Sequence, residues 1–254
     1  MLREDYRLLT QQQTPRLSVS FAQNKAEVRA AQRLRHQVFY TEMGAQPQST
    51  AMEPGIDQDL FDPYCEHLIV RDNQTSEIVG TYRLLSPSMA QRIGAYYSET
   101  EFDLTRLGHL NDSMVEAGRS CVHPDYRQGA TIALLWSGVM EYMRLHGFRY
   151  LIGSASISLR DGGHAAASIY RRYSQEHLSP KEWRVFPRNR LPLASLNSRL
   201  NAPLPPLIKG YMRLGCLVCG EPAWDVNFNS ADLLLLLPLS LMDKRYARHF
   251  LDPS

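Results

Sequence analysis

From residue 24 to residue 44, apolar side chains recur every three or four positions, with Val28, Ala31, Leu34, Val38 and Phe39 in register. That spacing predicts an amphipathic helix. Asn24 stands where a cap belongs, Glu27 follows three residues on as in a capping box, and Gly44 is a stop. Residues 45–63 carry Pro, Gly and Asp and predict a loop. Apolar runs at 67–70 and 77–85, separated by Asp72, Asn73, Gln74 and Thr75, predict a hairpin. After a mixed stretch at 86–112 with room for a short helix, the pattern predicts a strand over 114–121, a helix over 131–146 and a strand over 149–157. The glycine turn Asp161-Gly162-Gly163 then introduces a helix over 164–176.

The later part is less regular. A short strand is expected at 183–186, a Pro-rich crossing loop over 187–206, and one or two helical turns at 208–214. Strands at 216–219 and 232–239 close the pattern. Residues 1–20 are polar and Gln-rich and are expected to be poorly ordered. Residues 21–254 are expected to form a single domain, with about 187–254 packed on it as a C-terminal extension. An early hairpin is foreign to a doubly wound fold. The order predicts an α/β protein with a mixed sheet and helices on both faces.

Composition narrows the function classes. With 254 residues, 44% hydrophobic and 21% charged, the chain can build a large core without disulfides. A net charge of +2 gives no ground for a nucleic-acid partner. Most of the basic residues are Arg, the side chain suited to bidentate contacts with phosphate and carboxylate. The N-terminus is polar and mixed in charge, and the apolar run 233–237 is far below the ~20 residues of a membrane span. We therefore expect a cytoplasmic protein, with peripheral contact to the inner membrane surface left open. Cys216 and Cys219 form a lone Cys-x-x-Cys in a strand-like segment, which favours a structural origin over zinc or redox chemistry. His36, His67, His123 and His164 lack metal-ligand spacing, so no metal is expected.

Chemistry concentrates in Glu116-Ala-Gly-Arg119-Ser120-Cys121-Val122-His-Pro-Asp-Tyr-Arg127-Gln128-Gly129-Ala130. An apolar strand bearing an acid and a base runs into a basic glycine turn that opens a helix. Such a turn offers unpaired N–H groups to a phosphate, with the upstream acid beside whatever is held. The pattern suits a transferase whose donor carries its cargo on a phosphorylated arm.

This order and this motif resemble the GNAT acyltransferase superfamily and, within it, the L-ornithine Nα-acyltransferases. Those are the first-step enzymes of ornithine lipid synthesis, once labelled hemolysin-like. The matching segments are 33–39, Asp59-Leu-Phe-Asp62 with 66–68, Gly80-Thr-Tyr-Arg83-Leu-Leu85, Gly118-Arg119-Ser-Cys-Val122-His-Pro124, Pro206-Leu-Ile-Lys209-Gly-Tyr211, and Cys219-Gly-Glu-Pro222-Ala-Trp224-Asp225. A wider resemblance is to the acyl-homoserine-lactone synthases, whose early Arg, Asp-x-x-Asp, Arg-Leu-Leu and Glu-x-x-Arg find counterparts in Arg35, Asp59 with Asp62, Arg83-Leu84-Leu85, and Glu116 with Arg119.

The resemblance implies a GNAT-like fold and transfer of a 3-hydroxyacyl group from acyl carrier protein to the α-amine of ornithine, giving lyso-ornithine lipid. The donor would ride on the carrier's 4′-phosphopantetheine, with no cofactor bound to the enzyme itself. Ala130 and Ile132 stand where the common GNAT donor loop has small residues, which weighs against a coenzyme A diphosphate. Glu116 is the candidate base, with a structural ion pair to Arg119 or Arg83 as the alternative. Asp59 and Asp62 are candidates for the acceptor's ammonium groups, or for turn capping. Arg83 and Arg119 are candidates for its carboxylate. Ser120, Cys121 and Val122 could pair with the pantetheine amides, and Arg127, Gln128, Gly129 and Ala130 could hold its phosphate. Arg33, Arg144, Arg149, Arg171 and Arg172 are candidates for docking an acidic carrier. Rival readings are an acyltransferase for glycine or glutamine, a lactone-forming synthase, and a membrane-active protein without enzyme activity.

Overall fold

Asn24 caps the first helix as its position suggests: its side chain accepts from the Glu27 amide at 3.0 Å, and Glu27 reaches back to the Gln23 amide at 2.7 Å. The computed structural model describes residues 15–45 and 53–245. Within them the order is β1 (Leu17–Phe21), α1 (Lys25–His36), β2 (Glu66–Asp72), β3 (Ile78–Leu85), α2 (Pro87–Ile93), β4 (Phe102–Asp103), β5 (Met114–Val122), α3 (Ala130–His146), β6 (Tyr150–Ser158), α4 (His164–His177), β7 (Phe186–Pro187), α5 (Pro206–Leu214), β8 (Leu217–Val218), β9 (Ala223–Asp225) and β10 (Ser230–Pro238). The main sheet runs β1-β2-β3-β5-β6-β10-β8, with β9 also on β10. The β5–β6 pair is parallel and the other pairs are antiparallel. The expected mixed sheet is therefore present.

Three local expectations are corrected. Residues 17–21 are not loose: Leu17, Val19 and Phe21 pack against the core while their backbone pairs with β2. The strand was too short, and too close to a polar tract, to stand out; residues 1–14 lie outside the described segments. The first helix stops being α-helical at His36 and continues as a π-helix over Gln37–Glu42. The widened turn sets Tyr40 on Asp57 at 3.0 Å and Phe39 under Arg119; π turns gather at functional sites for this kind of reason. In place of a strand at 183–186 there is a 3-10 turn, Lys181–Trp183, followed by β7.

The two faces of the sheet differ. On the α3 and α4 side, Leu68, Tyr82, Leu84, Val115, Ala155 and Ile157 meet Leu135, Val139, Met143, Ala166 and Ile169 in one apolar core. The α1 side holds two smaller apolar patches, one around Phe102, Met114, Ile152 and Leu236, the other around Leu34, Val38 and Cys121. Arg83 and Glu116, both expected to carry chemistry, belong to this second face together with Asp232: the three alternate in register with its apolar residues Leu85, Met114 and Leu234.

Candidate active site

Strands β5 and β6 stay paired over Met114–Glu116 against Tyr150–Ile152. Beyond that the pairing ends. Gly153 still touches β5: a Cβ there would lie 2.3 Å from the Ala117 carbonyl oxygen, so only glycine lets the strands meet and then part. Past this point Gly118, Arg119, Ser120 and Ser154 become partly exposed and Ser156 is exposed. The β5 edge from Ala117 to Val122 is left without a neighbour on the β6 side and can accept an extended ligand as an added strand.

On its other edge β5 bulges. Thr81 pairs with Cys121 but Arg83 pairs with Gly118, so β5 carries one extra residue. Arg119 sits at the bulge with φ 54°, a left-handed conformation rare outside glycine. Such strain gathers where a side chain must be aimed. Here it turns Arg119 into a box of rings, with Tyr97, Phe228 and Phe39 centred 5.4, 5.3 and 5.8 Å from its guanidinium carbon. Its side chain is 9% exposed and lies 3.6 Å from Asp59 and 3.8 Å from Asp57, beyond hydrogen-bond length. Its Nε is buried without a hydrogen-bond partner.

The other expected acceptor residues are engaged elsewhere. Arg35, fully buried, meets Asp57 at 2.7 Å and Asp62 at 2.6 Å. Arg83 meets Asp59 at 2.6 Å and Asp62 at 3.0 Å. Asp59 also accepts from the Phe61 amide at 2.8 Å, and Asp62 from the Asp59 amide at 2.9 Å. Burial pushes the Asp62 carboxyl up, but Arg35 and then Arg83 outweigh it and hold the group below the usual carboxylate range. Asp59, Asp62 and Arg83 thus knit the loop before β2 onto α1 and β3. These ion pairs take up most of their hydrogen-bonding capacity, while Oδ2 of Asp59 has no hydrogen-bond partner.

Glu116, the candidate base, is likewise engaged by protein donors. It is 4% exposed. Its carboxylate accepts from the Tyr97 amide at 2.6 Å, from the Ser98 amide at 2.8 Å and from the Ser98 hydroxyl, capping the 3-10 turn Tyr97–Thr100. Burial raises its pKa against these donors. The alternative, an ion pair with Arg83 or Arg119, is not formed within 4.0 Å. What Glu116 fixes is the turn that carries Tyr97 beneath Arg83 and Arg119.

At the donor end, Gly129 caps α3 with φ 103°, and Ala130 is the first helical residue. The Arg127 side chain forms a bidentate pair with Glu42 at 2.6 and 2.7 Å, and its Nε donates to the Val122 carbonyl at 3.1 Å. Gln128 is exposed beside it. Ser120, Cys121 and Val122 lie on the open strand, with Cys121 buried and its thiol pushed up to about 12 by burial. All four cysteines are free, and burial likewise pushes Cys219 up to about 12, as suits structural thiols. Of the candidate docking arginines, Arg144 pairs with Glu141 at 2.7 Å and Arg172 donates to the Ala202 carbonyl.

Sequence reasoning missed a second group of acids. Glu101, Asp225 and Asp232 bring carboxylate oxygens within 4.8 Å of one another. Ser154 on β6 donates to Glu101 at 2.8 Å, and Ser230 to Asp232 at 3.1 Å. Burial, and next the charge of Asp232, push Glu101 well above the ordinary value. Burial raises Asp232 to about 6. One signal was available: Asp232 is a lone acid at the head of a five-leucine run in a strand buried on both faces.

A mixed sheet whose central parallel pair parts beside a glycine-capped helix is the architecture of a GNAT-type acyltransferase. The Acetyltransferase (GNAT) domain model matches residues 34–137. The L-ornithine N(alpha)-acyltransferase of Agrobacterium fabrum is 38% identical over 251 residues, covering 92% of this chain and 85% of that one. Its counterpart from Rhodobacter capsulatus is 36% identical, covering 91% and 93%. The chain belongs to the L-ornithine Nα-acyltransferase family and is an acyl-transferring enzyme. Among solved structures, the AHL synthase LasI aligns with TM-score 0.53 at 10% identity over 92% of this chain and 94% of that one. FeeM, an N-acyl amino acid synthase from uncultured soil microbes, aligns with TM-score 0.51 at 14% identity over 90% and 96%. These likenesses concern the fold. Among the described residues no helix is long and apolar enough to cross a membrane.

Proposed function

We propose that this enzyme moves a 3-hydroxyacyl group from the 4′-phosphopantetheine of acyl carrier protein to the α-amine of L-ornithine, releasing lyso-ornithine lipid in the first step of ornithine lipid synthesis. The parting of β5 from β6 beside the largely enclosed Arg119 side chain is the observation that carries the proposal. The pantetheine amides pair with the backbone of Ser120, Cys121 and Val122, and its phosphate meets the N–H groups of the Arg127–Ala130 turn. A β5 amide stabilises the oxyanion as the amine attacks the thioester carbonyl. The C–S bond breaks, and the thiolate leaves with a proton. Arg119 holds the acceptor carboxylate by a charge-assisted pair.

The α-amine is mostly protonated at neutral pH and must lose a proton before attack. Glu116, enclosed by its three donors, serves in this scheme as a positioning residue. Solvent at the open mouth of the cleft takes the proton. Carrier protein, ornithine and a cytoplasmic site of action are parts of the same proposal, as is docking at the inner membrane surface to hand over an amphiphilic product. Purified enzyme with 3-hydroxyacyl carrier protein and labelled ornithine should consume thioester and form a labelled, ninhydrin-positive lipid. Intact thioester after prolonged incubation would refute the assignment.

A further inference from the structure

We propose that Glu101, Asp225 and Asp232 form the pocket that receives the second ammonium group of a diamino-acid acceptor whose carboxylate is held by Arg119. The proposal rests on the acyl-transfer function proposed above and says which residues make a diamino acid the preferred acceptor.

The three acids come from separate places in the chain: the end of the turn that Glu116 caps, strand β9, and the start of β10. Their oxygens lie within 4.8 Å of one another, yet among the described residues none of the three forms an ion pair with Lys or Arg. Their protein partners are short donors: the Ser154, Ser156 and Ser230 hydroxyls, and the Asn227 and Phe228 amides on Asp225 at 2.8 and 3.1 Å. Three clustered carboxylates without a cation repel one another, and a positive ligand removes that cost.

Arg119 is the independent observation. Its side chain is only 9% exposed, its Nε is buried without a hydrogen-bond partner, and its nearest carboxylates stand beyond hydrogen-bond length. A guanidinium in this state calls for an anion. The two sites adjoin: Arg119 stacks on Phe228, in the turn that Asp225 caps, and its charge is felt at Asp232. The acids sit beside Ser154, one residue beyond Gly153, and Arg119 lies on β5 just past its last residue paired with β6, so both flank the point where the two strands separate. A ligand with an anionic end for Arg119 and a cationic end for the acids satisfies both. A divalent metal ion satisfies only the acids and is repelled by Arg119.

The test compares L-ornithine with L-norvaline, which has the same carbon chain and no side-chain amine. By calorimetry the wild-type enzyme should bind ornithine about ten- to a hundredfold more tightly. Ornithine should also displace protons from the acid cluster at about pH 6, seen as a dependence of the binding heat on the buffer, and norvaline should not. Asp232→Asn should cut the preference for ornithine to below about threefold. Equal binding of the two ligands by the wild type overturns the proposal, whether or not the variant folds. So does a folded Asp232→Asn enzyme that keeps its preference, or ornithine binding that is lost to a chelator and restored by magnesium or calcium. Failure of the parent function looks different: ornithine still binds selectively while no thioester is consumed.

Discussion

Two groups of three carboxylates lie on the same side of the sheet and have opposite characters. Asp57, Asp59 and Asp62 share three arginines, Arg35, Arg83 and Arg119, and the first two donate at hydrogen-bond length. Glu101, Asp225 and Asp232 have serine hydroxyls and backbone amides but no ion-pair partner among the described residues. The physics of pairing separates architecture from function here. A buried charge that already has its partner has little left to offer a ligand, and one that lacks a partner is unstable until a ligand supplies it. Arg119 stands between the groups, close enough to the first to be neutralised and too far to be satisfied.

The largest effect should come from breaking the satisfied group. Arg35→Met leaves Asp57 and Asp62 buried without their main cation, and about 3–5 kcal/mol of stability should be lost. Urea unfolding measures this. A loss below about 1 kcal/mol would mean that the network is ornamental and that the contrast between the groups is false.

Arg119→Gln tests the residue in between. Stability should change far less, because the guanidinium makes no short ion pair to lose. The enzyme's kcat/KM for its amino-acid acceptor should fall about ten- to a hundredfold, mostly through KM, as expected for one charge-assisted pair. Steady-state kinetics at saturating donor decide it. A fall confined to kcat with KM untouched would put Arg119 outside the acceptor site.

Glu116 gives a smaller and two-sided test. In Glu116→Gln one carboxylate oxygen becomes an amide NH2, which must face either the Tyr97 amide or the two Ser98 donors. The clash should cost about 1–3 kcal/mol in thermal unfolding, with turnover falling in proportion to the loss of order around Tyr97. Unchanged stability with abolished turnover would restore Glu116 as the base.

These outcomes bear on what the sequence could convey. Most of the element order, α1 with its cap and the glycine turn before α3 were legible because each depends on neighbours within a few residues: Asn24 with Glu27, Gly129 with the helix it opens. The partners of the individual acids were not legible. Asp59 and Asp62 stand out in sequence by their spacing, but Arg35 and Arg83, more than 20 residues away in the chain, consume them. Glu101, Asp225 and Asp232 are scattered over more than 130 positions and meet only when β10 pairs with β6 and β9. Composition and periodicity carry no trace of such a meeting.

The smallest effect is also the one of unexpected sign. Asp62 is held below its ordinary pKa, so its contribution to stability is full above about pH 4 and fades as acid carries the pH down through its folded value. Asp232 is raised to about 6 by burial, with Glu101, Asp225 and Arg119 facing it. The folded chain therefore binds more protons than the unfolded chain between about pH 4 and pH 6, and this group lowers stability as pH rises through that window. Asp232→Asn removes the charge while keeping an oxygen for Ser230. At neutral pH the variant should be more stable than the parent by up to about 1 kcal/mol, and the gain should vanish near pH 4. A binding pocket assembled at the expense of the fold should behave this way: the substitution that strengthens the empty enzyme is the one that weakens its grip on the ligand. Equal destabilisation at both pH values would instead assign Asp232 to the scaffold alongside Asp62, and the two groups of acids would no longer differ in kind.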